Sequence, residues 1–150
     1  MRAAQINLHN LKKIQDNIKK YAPERKVNII AVTKGFDISA IRSAQNAQLN
    51  IIGENKIQEF QSKIIDSPPT LNISKHMIGH LQRNKAKLAI KLFDTIQTVD
   101  SIKLAYHLNV LCQQQNKIKS IFLQINIGND SHKKGFNTTK LLSTIEKIQQ

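Results

Sequence analysis

A single cysteine, Cys112, stands in the whole chain, which excludes an internal disulfide and any cysteine-based zinc site. It is expected on the buried side of a helix. No stretch approaches the ~18 consecutive apolar residues that a membrane span needs, and the N-terminus lacks the apolar core of a signal peptide. The expected compartment is therefore the cytoplasm, where the acceptor-like triplets Asn72-Ile73-Ser74 and Asn137-Thr138-Thr139 carry no glycosylation meaning. Acidic residues are scarce. Ten Asp+Glu against 23 Lys+Arg leave a net charge of +13, a balance that by itself suggests polyanions such as nucleic acid. The lysines are scattered, however, in pairs such as Lys12-Lys13, Lys19-Lys20 and Lys133-Lys134. There is no basic tail, no repeated aromatic interleaving and no finger motif. A basic nucleic-acid-associated protein stays only as a second alternative.

What is present is enough for one ordinary domain spanning residues 1–150, with 40% hydrophobic residues to build its core. A first helix is predicted over about residues 7–21, with Leu11, Ile14, Ile18 and Tyr21 at steps of three and four, and Pro23 ends it. Strand candidates then begin near Val27, Asn50, Ile73, Asp94 and Ser120, at spacings of 23, 23, 21 and 26 residues. Such a near-constant period is what one βα unit with a short helix produces. The helices between them show stripes at Ile38, Ile41 and Ala44 behind an Asp37 N-cap, and at Ile57, Phe60 and Ile64 before the break at Ser67-Pro68-Pro69. Asp100 is placed to cap a helix carrying Leu104, Leu108 and Leu111, and a last stripe at Leu141, Ile145 and Ile148 runs to Gln150. Alternating units favour a parallel sheet, open or closed into a barrel.

The apolar run Val27-Asn28-Ile29-Ile30-Ala31-Val32 suits a strand buried on both faces, and it ends at Thr33-Lys34-Gly35. Lys34 therefore leaves the sheet at the rim where α/β proteins keep their ligands. An amine held near apolar walls has its neutral form favoured and can attack an aldehyde to give an imine. Gly35, Gly53, Gly79 and Gly128 fall at or just past the C-terminal ends of predicted strands, which points to the same rim. His76 and His80 are four apart, but in extended chain that spans ~13 Å, too far for one metal; no metal is assigned. Nothing fixes Glu54 and Glu59 as an acid/base pair, and Glu59 is expected on a solvated helix face. His107 reads as a surface or packing histidine and His132 as part of a solvated loop.

Several segments, in order, carry a resemblance: Ala31-Val32-Thr33-Lys34, Ile52-Gly53-Glu54-Asn55 with Ile57-Gln58-Glu59, and His76-Met77-Ile78-Gly79-His80-Leu81-Gln82-Arg83-Asn84-Lys85. Phe93 to Ser101, Gln124-Ile125-Asn126-Ile127-Gly128 and Lys134-Gly135-Phe136 follow. Together they resemble the pyridoxal phosphate homeostasis proteins, the YggS/PROSC family, apparently without its C-terminal third. The resemblance implies a TIM-barrel-like α/β fold of the alanine racemase N-terminal domain type. About five βα units are present, a partial barrel.

It further implies pyridoxal 5′-phosphate held as an imine (Schiff base) on Lys34, with Asn55 and His80 lining the cofactor pocket, in a non-catalytic protein of vitamin B6 homeostasis. The partners implied are the cofactor itself and apo-enzymes that receive it, with a monomer expected if the chain is complete. The alternative is a racemase or decarboxylase of the same fold, in which the imine serves as electron sink and a second group moves the α-proton. Two departures stand out: Phe36 where members commonly carry a second lysine, and Lys56 in place of the usual aromatic after Gly-Glu-Asn. The family's later phosphate cup and its arginine near the cofactor ring have no counterpart before Gln150. A partial barrel with open strand edges is expected to be unstable, aggregation-prone or dependent on a partner.

Overall fold

A computed structural model describes residues 1–65 and 72–149; the Ser67-Pro68-Pro69 break lies outside them. The elements are α1 (Leu8–Tyr21), β1 (Ala31–Val32), α2 (Ile38–Asn46), β2 (Ile51–Glu54), α3 (Ile57–Ile65), β3 (Ser74–Met77), α4 (Ala86–Leu92), β4 (Thr95–Val99), α5 (Ile102–Gln114), β5 (Ser120–Leu123), β6 (Ile125–Asn126), β7 (Phe136–Asn137) and α6 (Leu141–Gln149). Strand order follows the chain, β1-β2-β3-β4-β5, while β6 and β7 make a separate two-stranded sheet. The pairs β1-β2, β3-β4 and β4-β5 are parallel, in the registers Ala31↔Ile52, His76↔Thr95 and Thr95↔Ser120. This is the expected α/β repeat, five βα units of a barrel-type fold.

The chain forms two compact units, Met1–Glu54 with Gln58–Ser74, and Asn55–Ile57 with Lys75–Gln150. In the first, Ile41 and Ala44 of α2, Ile52 of β2 and Phe60 of α3 are fully buried, each large side chain contributing about 1.5–3 kcal/mol. The expected cap is present: the Asp37 carboxylate accepts the Ser39 N–H at 2.8 Å, and hydrogen bonding by Ser39, its side chain first and its backbone second, lowers the Asp37 pKa. The N-terminal segment is tied to α2 by the Ala4 and Ile6 N–H groups, which donate to the Ser39 and Ser43 hydroxyls.

The first strand is shorter than expected. Only Ala31 and Val32 are in β1, and Val27 and Val32 are about half exposed. An apolar run guarantees burial only where something packs on it, and among the described residues β1 has a strand neighbour on one side alone. Likewise only Leu11 of the α1 stripe is buried, with Ile14 and Tyr21 exposed.

In the second unit the core is Met77, Leu81, Ile90, Phe93, Ile96, Val99 and Leu104. The cap of α5 is Ser101, not Asp100: the Ser101 hydroxyl accepts the Leu104 N–H. Cys112 is half-buried on α5 rather than fully interior, in a groove of about 360 Å³ lined with Tyr106, Ile118 and Ile121. Burial raises its thiol pKa, with Lys119 and Lys117 opposing. Phe122 of β5 and Ile118 before it are exposed.

Candidate functional site

Lys34 sits in a turn just past β1. The Phe36 N–H donates to the Thr33 carbonyl at 3.3 Å, and Gly35 takes φ +79°, the left-handed conformation that the third place of such a turn demands. A Cβ on Gly35 would meet nothing within 4 Å, so its requirement is conformational, not one of space. The Lys34 side chain is exposed. The apolar walls expected around its amine are not what the first unit provides.

What surrounds this turn is a buried charged cluster that the sequence reading missed. The Lys63 ammonium, with no exposed side-chain surface, spends its three donors on Glu54 Oε1 at 2.7 Å, Glu59 Oε1 at 2.9 Å and the Thr33 carbonyl at 2.9 Å. The Thr33 hydroxyl donates to Glu54 Oε1 at 2.7 Å, and the Gly35 N–H donates to Glu59 Oε1. Lys63 rather than Ile64 completes the inward stripe of α3 behind Ile57 and Phe60. Glu59, expected on a solvated face, is turned inward, and Lys63 binds both glutamates into one set. The available signal was the i, i+4 pairing of Glu59 with Lys63. Glu54 Oε2 is buried without a hydrogen-bond partner among the described residues.

In the second unit the structure brings Asn55 against the strand end that carries His80. A Cβ on Gly79 would stand 2.2 Å from the Asn55 carbonyl oxygen, so only glycine admits this close approach of two backbones. The Gly79 carbonyl accepts the Thr98 hydroxyl. Asn55 Oδ1 is buried with no partner among the described residues, a polar atom that a ligand donor would satisfy.

His80 lies between two charges: Nδ1 is 3.1 Å from Asp100 Oδ2 and Nε2 is 2.8 Å from Lys134 Nζ. An ammonium has no lone pair, so Nε2 is the acceptor and the ring proton sits on Nδ1; Asp100 Oδ2 stands beside it without a hydrogen bond among the described residues, so that contact is one of charge. Thus Asp100, expected as a cap, orients His80 instead, and Lys134 arrives from 54 residues away. These three border a cavity of about 460 Å³ whose lining also includes Arg83 and Lys103, a surround suited to an anion.

His76 faces elsewhere. It is buried, with Nδ1 2.8 Å from Gln97 Nε2, and desolvation lowers its pKa, Asp94 opposing. His132 is exposed in a loop and His107 is half-buried on α5. No helix of the described residues is long and apolar enough to cross a membrane.

Set beside known proteins, residues 6–150 match the family described as alanine racemase, N-terminal domain. The pyridoxal phosphate homeostasis protein of Buchnera aphidicola is 38% identical over 138 residues, 89% of this chain and 60% of that protein. The structure of PipY from Synechococcus elongatus with PLP bound is 30% identical at a TM-score of 0.75, covering 92% of this chain and 63% of PipY. Alanine racemase from Clostridium difficile, 19% identical with a TM-score of 0.69 over 95% of this chain and 37% of the enzyme, shares the fold. The chain spans about 60% of the length of the curated relatives it matches, and it belongs to the family of the alanine racemase N-terminal domain.

Proposed function

We propose that this chain, as one domain, binds pyridoxal 5′-phosphate through an imine on Lys34 and serves vitamin B6 homeostasis rather than turnover. The observation that carries the reading is the likeness to PipY, whose structure has PLP bound and covers 92% of this chain. Support from the chain's own residues is local. Lys34 stands on a turn fixed on both sides, and no hydrogen bond or ion pair of its amine exists among the described residues, so the amine is available. Asn55 supplies the unpartnered buried Oδ1, and His80, oriented by Asp100, presents a ring at the edge of a basic cavity. When bound, the cofactor supplies an aldehyde for the amine. The relatives' name, pyridoxal phosphate homeostasis protein, favours a carrier; apo-enzymes as recipients and the cytoplasm as its place belong to the same proposal. Tyr21 and Tyr106, considered as a second acid/base group, lie exposed on α1 and α5, so neither tyrosine supports the racemase reading.

Borohydride reduction in the presence of pyridoxal 5′-phosphate, followed by peptide mass spectrometry, tests this directly. The expected product is a reduced pyridoxyl adduct on Lys34. An unmodified Lys34 in a chain whose circular dichroism shows it folded would defeat the proposal.

A further inference from the structure

Both residues flanking Lys34 are anchored to one buried charged cluster, whereas Lys34 itself is not. Thr33 is held three times over: its N–H donates to the Gly53 carbonyl at 3.1 Å, its hydroxyl donates to Glu54, and its carbonyl accepts from Lys63. On the other side the Gly35 N–H donates to the Glu59 carboxylate. Glu59 is in turn held by Lys63, and its side chain keeps 19% of its surface exposed while Lys63 and Glu54 have almost none. Three donors of one ammonium thus meet three acceptors drawn from the end of β2, from α3 and from the turn. Such a set leaves the backbone at Lys34 a single place while its side chain stays free to move.

We infer that Glu59, locked by Lys63, is the positioning residue for Lys34: it pins the Gly35 amide and so fixes the point from which the amine reaches a carbonyl. This rests on the proposed imine chemistry and names the device that serves it. In that step the Lys34 nitrogen forms a bond to the aldehyde carbon. The carbonyl oxygen departs as water with two protons from the amine, and the C=N bond remains. Nothing is oxidised or reduced until borohydride delivers hydride to that carbon. Misplacing an attacking atom by about an ångström is enough to cost one to two orders of magnitude in rate.

The test is the rate of borohydride-trapped labelling of the full chain by pyridoxal, the aldehyde without its phosphate, read at Lys34 against exposed Lys91 of α4 in the same sample. Glu59→Ala is expected to lower the Lys34-to-Lys91 labelling ratio by roughly tenfold or more. Glu59→Gln, whose carbonyl still accepts the Gly35 N–H, is expected to restore most of it. A merely structural role would loosen the fold without changing that ratio selectively or being rescued by Gln. A ratio unchanged in Glu59→Ala, with the wild-type Lys34 labelled, overturns the positioning role alone. Absence of label on wild-type Lys34 removes the functional reading, and the inference with it. If Glu59→Ala does not fold, amide hydrogen exchange of the wild-type chain decides: the Gly35 N–H is expected to exchange at least about tenfold below its intrinsic rate, and exchange at the intrinsic rate refutes the pin.

Discussion

Two strand ends, one in each unit, are tied down by charge in opposite ways. Past β1 the ammonium of Lys63 is dry, with every donor used and two carboxylates drawn onto it. Past β3 the chain Lys134–His80–Asp100 is open to solvent at two of its three members: Lys134 is exposed and the His80 side chain is 44% exposed, while Asp100 keeps only 9%. The same kinds of group are used, but the solvent sets their weight. In the interior an ion that loses its partner has nowhere to find another, so the cluster is obligatory for the turn it holds. At the surface water replaces a lost partner, so the chain there orients a ring more than it stabilises a fold.

The contrast breaks most sharply at Lys63. Lys63→Met is expected to cost about 3–5 kcal/mol in urea unfolding, because the Glu54 carboxylate is left buried without a counter-charge, with only the Thr33 hydroxyl donating to it. Replacing Lys63 and Glu54 together by Met and Leu is expected to recover part of that loss, since no unpaired ion then remains at position 54; an equal or larger loss would show that specific hydrogen bonds outweigh desolvation.

Next in size is Gly79→Ala, where the added methyl meets the Asn55 backbone at 2.2 Å. The backbone must shift, at about 1–3 kcal/mol, and the Asn55 amide resonances should move with it. The Gly35→Ala change has open space for its methyl but a φ of +79°, so it should cost about 1 kcal/mol through conformation alone.

A smaller, pH-dependent effect belongs to His76. Its folded pKa is depressed by burial, so as pH falls below the ordinary histidine value the unfolded chain binds the proton first and stability declines, while above that value the contribution is constant. Charging the ring would also set Nδ1–H against the Gln97 amide nitrogen until that amide turns over. His76→Gln should flatten the midpoint-versus-pH curve between about pH 7 and 5. Smallest of all, Lys134→Ala at the exposed end is expected to change stability by no more than about 1 kcal/mol, and Asp100→Asn, which keeps the side chain's shape at a site only 9% exposed, by about 1 kcal/mol. They should still alter the His80 ring-nitrogen shifts in NMR, since the tautomer depends on both partners. A loss as large as that of Lys63→Met would erase the distinction between the two sites.

Much of this architecture was legible along the chain, because strand and helix periods and caps are local. The 21-to-26-residue rhythm located β2 to β5 within a residue or two, and Asp37 caps α2 as read. Ser101 displaced Asp100 as the cap of α5 because a cap is chosen by the geometry of one turn, and Asp100 had a partner in His80 that no local pattern reveals. Lys34, Asn55 and His80 were marked by motif and by position after strands, not by any chemistry visible in isolation.

The linear order of residues determined by itself that this is a repeating βα chain, with Lys34, Gly79 and His80 delivered to strand ends, since burial periodicity and chain direction dictate where strands stop. The inward turn of Lys63 was decided only in three dimensions. Its ammonium is tolerated in the core because Thr33, 30 residues away, and Glu54, nine away, converge on it, and a charge can be buried only where the fold assembles its partners.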